Sequence, residues 1–363
     1  MKTIGLDILL QSPALLAAAP PASNLTETLL FIPGNTVRGL LARRYLDLEG
    51  AADSVFEELF VKGEVRFGFA WAKPEWARNP QVIPLSARSC KYQGGFNNDE
   101  GHGVLDLLLS GQEEKRCPKC KQSIDYFQGF WDISAYRKIP MDTRLITRTA
   151  IDSIRGAART GQLYSQRVLE EGQSFHANIE VPSELASHFT ALLSKLFIGR
   201  IGTGSSRGQG WVEVSQNDPM PIGWESTEKR YERFFQREGK PVLVVTLLSD
   251  GLFRDDYLRD CTAPTIGDLI PLGIVAEDWC PYPTRAFMDT RLIFGFDGKP
   301  IFLPRQPRLA VAAGSVFLFK AKQNNLCIPA GEGIGWIGEE NREGYGRAVL
   351  WHPFHLQPER EAI

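Results

Sequence analysis

Cys117-Pro118-Lys119-Cys120 places two thiols on one turn, and Cys90 and His102 lie upstream of it. Zinc takes thiolate and imidazole ligands in a tetrahedral shell, and a C-x-x-C turn supplies two of the four. Cys90, His102, Cys117 and Cys120 therefore predict a structural zinc site. With four protein ligands, no coordination position is left for a reactive water. The other account of the same residues is three free thiols and a surface histidine. A redox role is disfavoured, because no thioredoxin-like strand–helix context surrounds the pair.

Other residue types could act on RNA. A metal-independent ribonuclease needs a general base at the attacking 2′-hydroxyl and an acid for the leaving oxygen. Of the five histidines (His102, His176, His188, His352, His355), His176 is the candidate, beside Phe175 on an expected strand near a basic segment. A histidine alone in such a place is more often structural. Asp250, Asp255 and Asp256 could hold a metal, although a solvated turn accounts for them better. The G-x-S-x-G, Walker and H-E-x-x-H patterns are absent from the sequence.

One glycine-rich ending occurs twice. Ile201-Gly202-Thr203-Gly204-Ser205-Ser206-Arg207-Gly208-Gln209-Gly210 matches Ile337-Gly338-Glu339-Glu340-Asn341-Arg342-Glu343-Gly344-Tyr345-Gly346 at four positions, at a constant offset of 136. A repeat of this kind predicts two related halves, each with a glycine loop feeding a strand. Glycines permit positive φ and let a polyanion approach main-chain amides closely. The first copy is flanked by Arg200 and contains Arg207, whose guanidinium forks match phosphate oxygens. The second carries Glu339, Glu340 and Glu343 around Arg342. Between Arg137 and Arg167, seven basic residues face two acidic ones in a chain whose formal net charge is −2. With Tyr164, Phe175 and Trp211 interleaved for stacking, single-stranded RNA is the ligand these residues suit. The plainer accounts are a solvated basic face and tight turns.

The elements that must position these residues follow from periodicity. The chain has 363 residues, 43% hydrophobic and 23% charged, which describes a folded protein of two or three domains. Ile4, Leu6, Ile8 and Leu10 alternate with Thr3, Gly5, Asp7 and Leu9, which predicts a strand rather than a secretory leader. No run is long and apolar enough to span a membrane, and six cysteines in no dense framework point to a reducing cytoplasm. Asn35 is an expected N-cap for a helix to about Leu48, with Val37, Leu40, Leu41, Tyr45 and Leu48 on its apolar stripe and Arg38 and Arg43 off it. Residues 72–135 read as an irregular insertion without a core of its own. Strands are expected near 145–151, 161–169 and 173–180, then a helix after Pro182 with Leu185, Phe189, Leu192, Leu193 and Leu196 on one face. In 217–240, a linker, Thr227–Glu238 is expected to be helical and stopped by Gly239 and Pro241. The second half opens with a strand from Val242, contains a hairpin about Asp297-Gly298 and a strand over Leu309–Lys320, and ends in the second glycine loop. Each half thus reads as strand, helix or loop, two strands, helix, glycine loop, strand. The expected fold is α+β: tandem ferredoxin-like (RRM-like) domains at 1–216 and 241–363, the first interrupted by the cysteine-bearing insertion.

Several segments together resemble the RAMP superfamily of CRISPR-associated proteins. They are Ile32-Pro33-Gly34-Asn35-Thr36-Val37-Arg38-Gly39, then Ala150-Ile151-Asp152 with Gly156, Ala158, Gly161 and Leu163-Tyr164, and both glycine loops. Leu247-Leu248-Ser249-Asp250-Gly251-Leu252-Phe253-Arg254-Asp255 is similar to the Csx-ten family, the Cas-five-like subunit of type III-D effector complexes. The resemblance implies a non-catalytic subunit that caps the 5′ repeat-derived tag of a crRNA among other type III effector subunits, with no small-molecule substrate. The RNA-facing set would be Asn35, Arg38, Arg43, Arg148, Arg155, Arg159, Tyr164, Arg200, Gly202, Gly204, Ser205, Arg207, Gly208 and Gly210. The alternatives are an endoribonuclease that matures precursor crRNA, with His176 in the catalytic role, and a protein-only assembly subunit.

Overall fold

The structure is a computed structural model that describes residues 1–18, 24–108, 116–151, 158–220, 223–297, 303–323 and 326–356. At 150–151, 158–162, 296–297 and 303–304 it describes the main chain alone. The chain forms two units: Met1–Trp76 with Pro140–Met220 and Leu292–Pro307, and Ala77–Ile139 with Pro221–Arg291 and Arg308–Ile363. It is mixed α+β, rich in sheet and poor in helix.

In the first unit the elements run β1 (Lys2–Leu10), α1 (Gly34–Glu49), β2 (Arg66–Phe67), β3 (Trp71–Ala72), β4 (Thr143–Ile151), β5 (Ala158–Leu169), β6 (Ser174–Val181), α2 (Ala186–Leu192), β7 (Phe197–Arg200) and β8 (Trp211–Asn217). The sheet order is β7-β8-β1-β6-β2, with β3 also on β6. β1 lies antiparallel to both neighbours, from Lys2↔Val181 to Leu9↔Ser174 and from Gly5↔Asn217 to Leu10↔Val212. The alternation in β1 buries Ile4, Leu6, Ile8 and Leu10. α1 touches α2, β2 and β7, and buries Val37, Leu40, Leu41 and Tyr45. Two details of α1 differ from expectation. Its cap is Pro33, whose extended backbone aims the carbonyl at the amides of Thr36 and Val37, at 2.9 and 3.1 Å. Asn35 therefore sits inside the first turn. Leu48 is half exposed, because the chain turns away at Gly50. In the same way α2 ends at Leu192, and Leu196 faces solvent.

β4 and β5 form a long antiparallel ribbon from Thr143↔Leu169 to Thr149↔Leu163, irregular between Thr149 and Ile151. It leaves Leu145 and Leu163 more than half exposed. The hairpin expected around Asp297-Gly298 pairs Phe296–Asp297 with Leu303–Pro304, and its tip lies outside the described residues.

The second unit carries α3 (Thr227–Glu238), β9 (Val242–Leu247), β10 (Arg285–Phe287), β11 (Val316–Lys320), β12 (Ile334–Trp336) and β13 (Arg347–Leu350). Its sheet order, read from the opposite edge as β12-β13-β9-β11-β10, repeats that of the first unit. Leu243 to Leu247 are fully buried, which explains a continuous rather than alternating apolar run. Helices distinguish the halves. Between β9 and β10, among the described residues, the only helical segments are two of 3₁₀ type, Ile266–Leu272, which opens with a Thr265–Asp268 capping box, and Ala276–Asp278. Among the described residues no helix stands between β11 and the glycine loop. The single strand expected over Leu309–Lys320 is two, Arg308–Val311 and β11, broken where Gly314 takes φ 86°. α3 has the expected bounds but does not behave as a bare linker, since it buries Arg230 and Phe234.

The insertion also differs from expectation. Residues 77–139 belong to the second unit and have a small core of Ile83, Ala87, Phe96, Val104, Phe127 and Trp131, joined by Phe354. Phe96 stacks on Trp131 at 5.2 Å, and Phe354 meets Trp131 edge-on at 5.5 Å. The Asp106 carboxylate bonds His355 Nδ1 at 2.6 Å, and His355 Nε2 meets Thr246 Oγ1 of β9 at 3.0 Å. All three groups are buried, so this chain of contacts is structural. Among the described residues no helix is long and apolar enough to cross a membrane.

Candidate functional site

The four expected metal ligands converge. The ligand atoms of Cys90, His102, Cys117 and Cys120 all lie within 4.8 Å of one another. Cys90 Sγ is 3.5 Å from Cys120 Sγ, and Cys117 Sγ is 3.6 Å from His102 Nδ1. A zinc tetrahedron with bonds of about 2.3 Å has sulfur–sulfur edges of about 3.8 Å, so the donor set and its spacing fit that ion. Local backbone explains the convergence. Cys90 ends the strand Ala87–Cys90, which pairs with Val104–Asp106 on one side and Ile124–Tyr126 on the other. The Cys117–Cys120 turn closes through Lys121 N–H to Cys117 O at 2.9 Å, with Lys121 at φ 61°. Burial pushes the Cys90 thiol up, but the amides of Gln93 and Tyr92 and the side chains of Cys120 and His102 outweigh it and bring it down to about 6. The Gln122 amide pulls Cys120 down, yet burial and the neighbouring Cys90 and Cys117 leave it raised. Among the described residues this is the one group of side chains that could hold a metal; Asp250, Asp255 and Asp256 do not form another. Asp250 is instead buried beside Arg291, and Asp255 caps its own turn through the amides of Tyr257 and Arg259.

The two glycine loops have the same backbone. Ile201 N–H donates to Gly210 O and Ile337 N–H to Gly346 O, each at 2.8 Å. Thr203 and Gly210 donate to Leu15 and Pro13; Glu339 and Gly346 donate to Leu252 and Asp250. Each loop therefore wraps the segment that follows the central strand of its own sheet. Six amides of the first loop (201, 203 and 207 to 210) are used inside the protein. Any anion cradle there draws on the amides of Gly202, Gly204, Ser205 and Ser206, which have no such partner among the described residues. A Cβ on Gly210 would overlap the Ile201 carbonyl, whereas one on Gly208 would meet nothing within 4 Å, although both take positive φ. Gly210→Ala should thus destabilise by about 3 kcal/mol and Gly208→Ala by about 1 kcal/mol, read from denaturant midpoints at constant m-value. Equal effects would refute the closure geometry.

The loops differ in charge. The Arg200 guanidinium lies 3.8 Å from the Trp211 ring centroid, directly across the β7–β8 pair. Among the described residues neither Arg200 nor exposed Arg207 makes an ion pair. In the second loop Glu339 is engaged by Arg308 at 2.7 Å and by Arg254 at 3.5 Å. Two features of the loops were not anticipated from sequence. Arg347 and Trp336 form the same cross-strand stack at 5.6 Å with the residue types exchanged. The Gln209 amide is buried in the first loop without a hydrogen-bond partner among the described residues, where the second loop has Tyr345. The offset of 136 contained the first signal, since it aligns Arg200 with Trp336 and Trp211 with Arg347.

The remaining candidates are dispersed. Arg148 and Tyr164 face each other across the β4–β5 ribbon. Arg43 is exposed on α1 and paired with Asp47 at 2.8 Å. Arg38 is half-buried on the same helix, and Asn35 Oδ1 accepts from Thr36 Oγ1 at 3.4 Å. Arg155 and the side chain of Arg159 lie outside the described residues. Phe175 is fully buried in β6 and cannot stack a base. His176 is 2% exposed, with Nδ1 on Asp7 at 2.5 Å and Nε2 on Asn178 at 3.0 Å. Burial raises Asp7, but its bonds to His176 and Asn217 and the charges of His176 and Lys73 hold it below the usual carboxylate range. Both imidazole nitrogens are thus committed within the sheet.

Comparison with known proteins places this geometry in context. A family model described as the RAMP superfamily matches residues 7–213. No curated protein matches the chain. Among solved structures, a chain of the type III-B Cmr-beta complex bound to cognate target RNA and AMPPnP is 12% identical, with 86% of each chain covered and a TM-score of 0.47. Cmr4 (Cas7) of Pyrococcus furiosus is 11% identical over 60% of this chain and 100% of its own, with a TM-score of 0.27. A chain of a type IV-B CRISPR complex is 13% identical over 62% and 94%, with a TM-score of 0.31.

Proposed function

Because the chain belongs to the RAMP superfamily, we propose that it is a non-catalytic RNA-binding subunit of a type III CRISPR effector complex, of the Csx-ten, Cas-five-like kind. It caps the 5′ repeat-derived tag of the crRNA. The matching orders of the two sheets, with the first strand central in each, support tandem ferredoxin-like domains. The observation that carries the RNA reading is the contrast between two loops of one backbone. The first holds Arg200 and Arg207 without carboxylate partners among the described residues, and the second holds a glutamate locked to two arginines. Arginine forks at the first loop take phosphates, and Tyr164 with Arg148 on the neighbouring ribbon offers a stacking surface. The zinc clip is structural and holds the insertion, which with the second unit faces neighbouring protein subunits.

The test is salt-dependent binding. Arg207→Ala is expected to weaken affinity for a repeat-derived RNA evenly across sequences and to lower the slope of log K against log salt by about one unit. An unchanged slope would remove Arg207 from the phosphate contacts. The endoribonuclease reading makes the opposite demand of His176. Site-specific cleavage of a repeat RNA, abolished by His176→Ala, would overturn the scaffold reading. A chain that protects no guide nucleotide in its complex would leave the protein-only assembly role.

A further inference from the structure

A cleft of about 420 Å³ lies within the second unit, lined by Arg88, Tyr126, Gln128, Phe287, Met288 and Asp289 among others. None of these belongs to the RNA-facing set above. One wall is the zinc-clipped sheet. Arg88 and Tyr126 are register partners there, and the guanidinium centre is 3.8 Å from the ring centroid. Arg88 Nη1 also donates to Leu85 O at 2.8 Å and Ala87 O at 2.7 Å, so the stacked plane is fixed. Tyr126 nevertheless stays 66% exposed. The other wall is β10, the edge strand of the five-stranded sheet. Here Arg285 lies 4.6 Å from the Phe287 ring and donates to Leu107 O at 3.1 Å, and Met288 is 41% exposed beyond it.

The chemistry of the cleft is not that of a phosphate site. Both arginines are spent on rings and carbonyls, and Asp289 adds a negative charge. What remains is flat apolar surface of aromatic rings and a thioether, with an exposed amide at Gln128 and an exposed carboxylate at Asp289. That combination suits a planar heteroaromatic ring, whose faces stack while its edge is read by hydrogen bonds. A carboxylate accepts from an exocyclic amine, and an amide pairs with an amine and its neighbouring ring nitrogen. We propose that this cleft receives one unstacked nucleobase of a single-stranded RNA, with preference for a base bearing an exocyclic amine. The proposal rests on the RNA-binding reading above and assigns it a second contact, on the other unit.

The test uses the full-length protein and short 5′-labelled homopolymers of adenylate, cytidylate and uridylate, with affinity read by fluorescence anisotropy. Adenylate and cytidylate should bind more tightly than uridylate. Tyr126→Ala should weaken both about 10-fold with the salt slope unchanged, since stacking rather than charge is lost. Asp289→Asn should narrow the gap to uridylate. Met288→Ala, an exposed change, serves if Tyr126→Ala lowers the melting temperature. If Tyr126→Ala and Met288→Ala bind all three RNAs like the parent while Arg207→Ala is weakened, the cleft is not a base site and the RNA reading stands. If the parent binds none of the three and no repeat RNA, both fall.

Discussion

Chelation of the metal is expected to open residues 77–139 to protease while leaving the first unit resistant. Protein purified without added metal should carry about one zinc per chain. The physical reason is where the four ligands sit. Cys90 ends the strand Ala87–Cys90, the Cys117–Cys120 turn leads into its partner Ile124–Tyr126, and His102 precedes its other partner Val104–Asp106. One ion there would tie all three strands of a sheet whose strands are only three or four residues long. Structural zinc in isolated finger peptides supplies about 10–16 kcal/mol of folding energy at neutral pH. The insertion also has the core around Trp131 and the Asp106–His355 contact, so the net loss here is smaller, about 3–5 kcal/mol in the second unit. Cys117→Ser with Cys120→Ser should reproduce it and abolish the metal. A metal content near zero, with melting indifferent to chelator, would return the cluster to three thiols and a histidine.

The second large effect is expected at Arg230. This arginine is wholly buried and, among the described residues, has no carboxylate bonded to it. Its guanidinium instead donates to three main-chain carbonyls: Nη1 to Glu225 at 2.7 Å, and Nη2 to Glu332 at 2.5 Å and Leu350 at 3.0 Å. Burial lowers the group to about 10 against the pull of Glu332 and Glu225, so it stays charged at neutral pH. It binds the start of α3, the segment before β12 and the end of β13 to one another. Arg230→Ala would remove three hydrogen bonds, the one to Leu350 O wholly buried, and leave a cavity, and should destabilise the second unit by about 3–5 kcal/mol in chemical denaturation. Arg230→Lys should recover only part of this, because a single ammonium cannot span the three carbonyls. A loss under about 1 kcal/mol would mean that water replaces the guanidinium freely.

Much of this arrangement was legible from residue pattern, and the failures share a cause. β1 and the strands of the β4–β5 ribbon and β6 followed from apolar periodicity, and α3 followed from its stops, Gly239 and Pro241. The cluster of Cys90, His102, Cys117 and Cys120, which could hold a metal ion, was legible because thiols and imidazole at those spacings have few other uses. What sequence could not show was tertiary. Phe175 looks like a stacking residue until β6 places it inside the sheet, and Asn35 looks like a cap until Pro33 takes the position. The insertion looked coreless because its apolar residues are spread along short strands and completed by Phe354, more than 200 residues away. The cleft at Arg88 and Phe287 left no signal at all, since its walls are far apart in the chain.

The exchanged stack beneath the glycine loops bears on how alike the halves are. At Arg200 and Trp211 the cation stands on the incoming strand; at Trp336 and Arg347 it stands on the outgoing one. Compared column by column, these are two mismatches. Compared as a contact, they are one conserved closure written in reverse. What repeats at this point is the couple, indifferent to which strand supplies which member. Replacing Arg200 by Trp and Trp211 by Arg together is then a transposition the fold has already accepted once. The likeness of the halves is greater than four shared letters suggest, because an alphabet compared place by place cannot see a word spelled backwards.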